Sequence, residues 1–407
     1  MNRATKRIIG IAAVICIAAV LIFTAILEGE ETLINEAPSY AQAPAPVPTP
    51  SPTPASAPAH TPEPAAEPEP EPDPIIPEPP DPIAGMCIYE RIGQLFIVRL
   101  PNAQRAERLI TEYHIGGFIL FRNHIHSGEQ VQQLIAGLQE SAAIPLFIAV
   151  DEEGGRVSRL GHISERTASA YLIGQRFTPE EVQELHYHTG NRLVYFGFNM
   201  NFAPVADIWT NPANTVIGDR AFGSEPELVS EMVSAAVKGL RQAGVLSVIK
   251  HFPGHGDTVE DSHYLMAFYH HHRERFNTVE AMPFISGINA GTDGVMMGHI
   301  ATPYLTPENP NQPATFSSYL MRQVLREEMG FEGLIITDAL DMRGLTNYFS
   351  HDEIVINAFI SGADILLMPA NPEQAIYAMI EAYRSGRVSG ERINESVRRI
   401  MKTKNID

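Results

Sequence analysis

The sequence predicts an α/β protein built as a (β/α)8 (TIM) barrel, carried behind an apolar N-terminal helix and a disordered proline-rich linker. Three observations predict it. Beyond Gly85, short apolar runs alternate with segments of helical length, and the runs number eight. About 320 residues remain once the first 85 are set aside, which suits a single α/β barrel.

The chain opens with Arg3, Lys6 and Arg7, then an uncharged apolar run over 8–27, then Glu28, Glu30 and Glu31. Twenty residues at about 1.5 Å each span about 30 Å, the thickness of a bilayer core. The positive flank is N-terminal, so the remainder is expected outside the cytoplasm. The run outlasts a usual signal-peptide core and no A-x-A site follows. That favours an uncleaved, single-pass signal anchor over a cleaved signal peptide, which would leave the protein secreted. Cys16, the alternative lipidation site, follows Val14-Ile15 rather than small residues.

Residues 28–85 form the linker, with proline at every second or third position over 38–82. Proline fixes φ and removes a donor, so neither helix nor sheet propagates and an extended spacer remains. Its reach is at most on the order of 150 Å. This segment also carries much of the formal net charge of −19, with no Lys or Arg over 28–90. An acidic chain without a basic stripe excludes nucleic acid as a partner. Two cysteines, Cys16 and Cys87, offer no intradomain staple, and a core drawn from 44% hydrophobic residues needs none.

The third segment, 86–407, is the barrel. The candidate strands are Gln94–Leu100, Gly117–Phe121, Leu146–Val150, Asn199–Val205, Ser247–His251, Gly294–Ile300, Gly333–Asp338 and Ala363–Met368. Near-continuous apolar runs suit strands buried on both faces, and amphipathic stretches such as Ser230–Ala243 and Glu373–Arg384 suit the crossover helices.

Several runs end in polar side chains: Val150 leads to Asp151, Ile249 to Lys250-His251, Gly298 to His299, and Thr337 to Asp338. The carboxyl ends of barrel strands converge on one mouth, so these residues are expected to meet there. Any one of them alone could be a paired polar group closing the barrel. Together they make a charge-lined mouth, whose desolvation is costly unless its members pair with each other or with a ligand. Such a mouth suits electrostatic stabilisation of a transition state.

The strand ending at Lys250-His251 runs into a glycine-rich loop with His255, Asp257, Asp261 and His263. His and Asp at this density invite a metal reading, but no H-E-x-x-H spacing is present and Pro253 and Gly254 break any helix that would align ligands. No metal or cofactor is expected. A carboxylate orienting an imidazole, as Asp261 and His263 can provide, suffices for proton transfer. His124, His126 and His270-His271-His272 are expected on the solvent side.

The segments Asp151–Val157, Asn201–Asp207, Ile217–Gly223, Lys250–His263 and Ile336–Met342, in that order, resemble glycoside hydrolase family 3, and within it the β-N-acetylglucosaminidase branch. The resemblance runs from about Ile92 to Ile400. It implies Asp338 as nucleophile, His263 as general acid/base and Asp261 as its partner. Asp151, Arg159, Arg220, Lys250 and His251 would hold the sugar in the −1 subsite. The implied activity is a retaining exo-β-N-acetylglucosaminidase acting through a covalent glycosyl-enzyme, with N-acetylglucosamine-containing glycans such as muropeptides as substrate. Many members carry a second α/β domain that supplies an acidic residue; the end of the sequence at Asp407 fits the branch that uses the Asp–His pair instead. After His263 the family usually continues to Leu-Pro, whereas this chain reads Tyr264-Leu265-Met266-Ala267. Another retaining exo-glycosidase, such as a β-glucosidase, and an inactive wall-sugar-binding module are the competing readings.

Overall fold

The computed structural model describes residues 81–306 and 309–406. The predicted anchor over 8–27 and nearly all of the predicted linker lie outside the described residues. Among the described residues, no helix is long and apolar enough to cross a membrane.

Eight parallel strands form one sheet: β1 Phe96–Arg99, β2 Gly117–Ile119, β3 Phe147–Val150, β4 Met200–Asn201, β5 Leu246–Phe252, β6 Gly294–Met297, β7 Leu334–Thr337 and β8 Leu366–Leu367. Each strand pairs with the next in sequence, and β8 returns to pair with β1 through Phe96↔Leu366. A parallel bridge between Ile336 and Ile365 joins β7 to the approach of β8, so the sheet closes on itself as a barrel. Closure removes the unpaired edges an open sheet would expose. Both faces are covered, which is why β3 and β7 are buried at every residue.

The crossover helices carry their own boundary signals. In the helix Pro179–Phe196, Thr178 and Glu181 form a reciprocal capping box, and Gly197 ends it at φ +94°. The expected helices over 230–243 and 373–384 appear as Pro226–Gln242 and Pro372–Arg384, each opened by a proline whose missing N–H costs nothing in the first turn. Before the first helix, Ile83 is buried in the core and Asp81 pairs with Arg398 at 2.8 Å.

The strands are shorter than their apolar runs. Gln94 belongs to the helix Ile88–Gln94. β4 stops at Asn201, ahead of Pro204, which has no N–H to continue a ladder. The run Gly294–Ile300 breaks after Met297, and Ile300–Ala301 pairs instead with Ala267–Phe268 as a separate two-stranded sheet. Apolar content signals burial, and buried loop ends at the mouth satisfy that as well as strands do.

Candidate active site

The eight residues expected in the site all line one cavity of about 480 Å³ at the carboxyl ends of the strands. Asp151 follows β3, Lys250 and His251 lie in β5, and Asp338 follows β7. Arg159 and Arg220 reach in from the loops after β3 and β4, and Asp261 and His263 from the loop after β5.

The floor is an alternating charge lattice. Lys250 Nζ donates to Asp151 Oδ1 at 2.9 Å and lies 2.6 Å from Glu153 Oε1. Arg220 donates through Nε and Nη2 to both Glu153 oxygens, each at 2.8 Å. Arg159 Nη2 reaches Asp151 Oδ2 at 3.3 Å. Burial opposes charge on every one of these groups. The neighbours overcome it: Arg220 and Lys250 hold the Glu153 carboxyl far below the usual range, and Asp151 and Glu153 raise the Lys250 ammonium above its ordinary value. The floor is therefore ionised, with its polar atoms spaced to meet the hydroxyls of a ring.

His251 is held from behind. Its Nδ1 donates to Asp207 Oδ2 at 2.7 Å, and its Nε2 sits 3.4 Å from Arg220 Nη2. Asp207, fully buried, also accepts through Oδ1 from the backbone N–H of His251 (3.2 Å) and of His255 (2.6 Å). One carboxylate thus fixes a cavity imidazole and the start of the following loop. Gly256 is required there, because a Cβ would fall 1.8 Å from the Ile208 carbonyl oxygen.

His255 pins the loop from inside. Its two ring nitrogens meet Thr258 Oγ1 (2.7 Å) and Ser262 Oγ (2.9 Å). Burial, helped by His251, pushes its pKa down to about 4, so the ring is neutral near pH 7. Ser262 lies between Asp261 and His263, so the anchor acts directly on the pair. Asp261 Oδ1 accepts from His263 N–H at 2.9 Å and lies 2.7 Å from His263 Nδ1. The far side of the loop rests on the helix Arg343–Thr346, where Gly344 N donates to the Ser262 carbonyl at 3.2 Å. The His263 side chain is 60% exposed, open to solvent and cavity alike.

Opposite stands Asp338. Its Oδ1 accepts from the Ala339 N–H at 2.7 Å, and its own N–H donates to the Met297 carbonyl at 2.9 Å. Burial would raise its pKa, but the imidazoles of His251 and His299 and the Ala339 N–H outweigh that and hold it at about 2. A carboxylate that stays ionised and half-buried is a competent nucleophile. His299 is not part of the cavity wall. It lies beneath, with Nδ1 at Thr315 Oγ1 (2.7 Å) and Nε2 at the Ala339 carbonyl (2.8 Å), bracing the backbone next to Asp338.

Sequence reasoning missed Glu153, Asp207, Arg99 and Asp341. Glu153 carried a signal: two residues beyond Asp151 in extended chain, it shares that residue's side. Asp207, outside the cavity and fully buried, carried none. The solvent-side expectation fails for His271, whose Nε2 lies 2.5 Å from Asp257 Oδ2 and which is only partly exposed. His124 is half-buried, its Nδ1 accepting from the Phe121 N–H at 3.0 Å. Both loops run beside the mouth, where neighbouring segments cover them. Among the described residues, no group of three or more His, Cys, Asp or Glu side chains is placed to hold a metal ion.

A barrel whose mouth sets an ionised aspartate against an imidazole–carboxylate pair, over a lattice of paired charges, defines a glycoside hydrolase class of site. Residues 87–403 match the model of the glycosyl hydrolase family 3 N-terminal domain, and the chain belongs to that family. It is 36% identical over 323 residues to β-hexosaminidase A of Pseudoalteromonas piscicida, covering 73% of this chain and 54% of that protein. It is 34% identical over 323 residues to β-hexosaminidase LpqI of Mycobacterium tuberculosis, covering 76% of this chain and 81% of that one. Among solved structures, a family 3 β-N-acetylglucosaminidase from a Paenibacillus species superposes with a TM-score of 0.76 at 38% identity, over 79% of this chain and 63% of that chain. The chain thus spans between about half and four fifths of the length of the curated relatives it matches.

Proposed function

We propose that the protein is a retaining exo-β-N-acetylglucosaminidase that removes terminal β-linked N-acetylglucosamine through a glycosyl-enzyme on Asp338. The observation that carries this is the placement of an ionised Asp338 and the Asp261–His263 pair on one cavity. The relatives described as β-hexosaminidases support the choice of sugar.

In the first step, an Asp338 carboxylate oxygen bonds to the anomeric carbon as the glycosidic C–O bond breaks, and the His263 imidazolium protonates the leaving oxygen. In the second, the now neutral His263 takes a proton from water, whose oxygen displaces Asp338 and restores β-configuration. Asp261 orients the ring through Nδ1, leaving Nε2 for the transferred proton. The Asp151, Arg159, Arg220, Lys250 and His251 lattice binds the ring hydroxyls of the −1 sugar.

With the chain held outside the cytoplasm by a signal anchor over 8–27, peptidoglycan fragments are the substrate class within reach. Fractionation of the full chain against one starting at Ala84 tests the anchor: only the former should follow the membranes. The activity is tested by comparing an aryl N-acetyl-β-glucosaminide with an aryl β-glucoside, followed by mass spectrometry of muropeptide digests. Preferential release from the first, with loss of one N-acetylglucosamine from muropeptides, supports the reading. Preference for the glucoside overturns it.

A further inference from the structure

The cavity has an extension that the chemistry above does not use. An open depression of about 620 Å³ adjoins it and shares two lining residues with it, Phe121 and Arg159. At this junction the Phe121 ring is flanked by guanidiniums, with Arg99 4.4 Å and Arg159 5.3 Å from its centroid. The depression is lined further by Arg122, Asn123, His126 and His162, and by no acidic side chain.

The cations here differ from those of the floor. On the floor each one is matched by a carboxylate at hydrogen-bond distance. Among the described residues, the exposed Arg122 guanidinium has no hydrogen-bond or ion-pair partner, and Arg99, 54% exposed, meets only Asp341, at 3.8 Å. The wall nearest the solvent is thus positive on a chain whose formal net charge is −19. Unspent guanidinium donors beside an apolar ring face suit a planar carboxylate. The lattice that binds the −1 sugar has no comparable free charge, so the preference must lie beyond that sugar, on the aglycone side.

We infer that the Arg99–Phe121–Arg122 wall is a subsite for a carboxylate on the aglycone, making the substrate an acidic glycan rather than a neutral chitin-like one. This rests on the N-acetylglucosaminidase reading above. The carboxylate has two possible sources, an acidic sugar next to the cleaved bond or an acidic peptide attached to it.

The test compares kcat/KM on four substrates: an aryl N-acetyl-β-glucosaminide, diacetylchitobiose, the disaccharide of N-acetylglucosamine with a carboxylate-bearing amino sugar, and that disaccharide extended by an acidic peptide. At low ionic strength the acidic substrates should exceed diacetylchitobiose by roughly 5- to 30-fold, the worth of one or two exposed charge-assisted contacts. About 0.5 M salt should shrink that ratio, because screening falls to a few ångströms. Arg122→Gln should remove most of the preference while leaving the aryl substrate unaffected, which also reports that the variant is folded. A preference present without the peptide assigns the sugar carboxylate, and one appearing only with it assigns the peptide. Equal rates on neutral and acidic disaccharides, or a preference that survives Arg122→Gln, would overturn the inference while leaving the glucosaminidase reading intact. An inert aryl substrate would instead remove that reading and this inference with it.

Discussion

Replacing Glu153 by glutamine separates the charge lattice from the chemistry above it. The Glu153 side chain is 4% exposed and accepts both Arg220 donors at 2.8 Å, with Lys250 Nζ at 2.6 Å. Glutamine keeps the shape but turns one acceptor into an NH2 group facing a cation and leaves two buried cations short of charge. Breaking a buried pair from one side costs about 3–5 kcal/mol. For a domain of this size that lowers Tm by about 5–10 °C. Asp151→Asn is the control. Its side chain is 17% exposed and Lys250 keeps Glu153, so its stability loss should stay near about 1 kcal/mol while kcat/KM falls. Thermal melts of both variants, with kinetics on an aryl N-acetyl-β-glucosaminide, are the assay. A Glu153→Gln variant melting within a degree of wild type would refute the claim that this carboxylate holds the floor together.

His263→Ala should depend steeply on the leaving group: activated aryl glycosides should still form the glycosyl-enzyme, unactivated sugars should lose about 10²–10⁴-fold, and azide should restore turnover. A loss equal for good and poor leaving groups would make His263 a binding residue only. Acid stability offers a separate check. His186 and His255, both buried, have pKa values pushed from 6.5 to about 4. The unfolded chain therefore takes up protons first as pH falls, and stability should decline between about pH 6.5 and 4, by at most on the order of 3 kcal/mol per ring. Denaturant melts at pH 7, 5.5 and 4 should show that decline, with a shallower slope in His186→Gln; a flat profile would contradict it.

The barrel and the residues of its mouth were legible because both follow from local rules. An apolar run of strand length reads as strand, and a charge at its end reads as mouth. Asp151, Lys250, His251 and Asp338 all emerged this way, and the cavity gathers them. What escaped depends on packing between loops. Asp207 acts through His251 and the His255 backbone from the loop that leaves β4, and no spacing links those positions. His255 looked like a possible ligand in a His-rich loop, whereas both its nitrogens are spent on Thr258 and Ser262. The basic wall at Arg99 and Arg122 escaped for the same reason, since residues from β1 and from the turn after β2 become neighbours only when the barrel closes.

The central claim is that Asp338 forms the covalent bond. Incubation with a 5-fluoro N-acetylglucosaminyl donor, which slows release of the glycosyl-enzyme, followed by proteolysis and peptide mass spectrometry, tests it most directly. The label should appear on the peptide containing Asp338 and vanish in Asp338→Ala; a label on Asp151, Asp261 or Asp341, or turnover of the donor with no labelled peptide, would contradict the account.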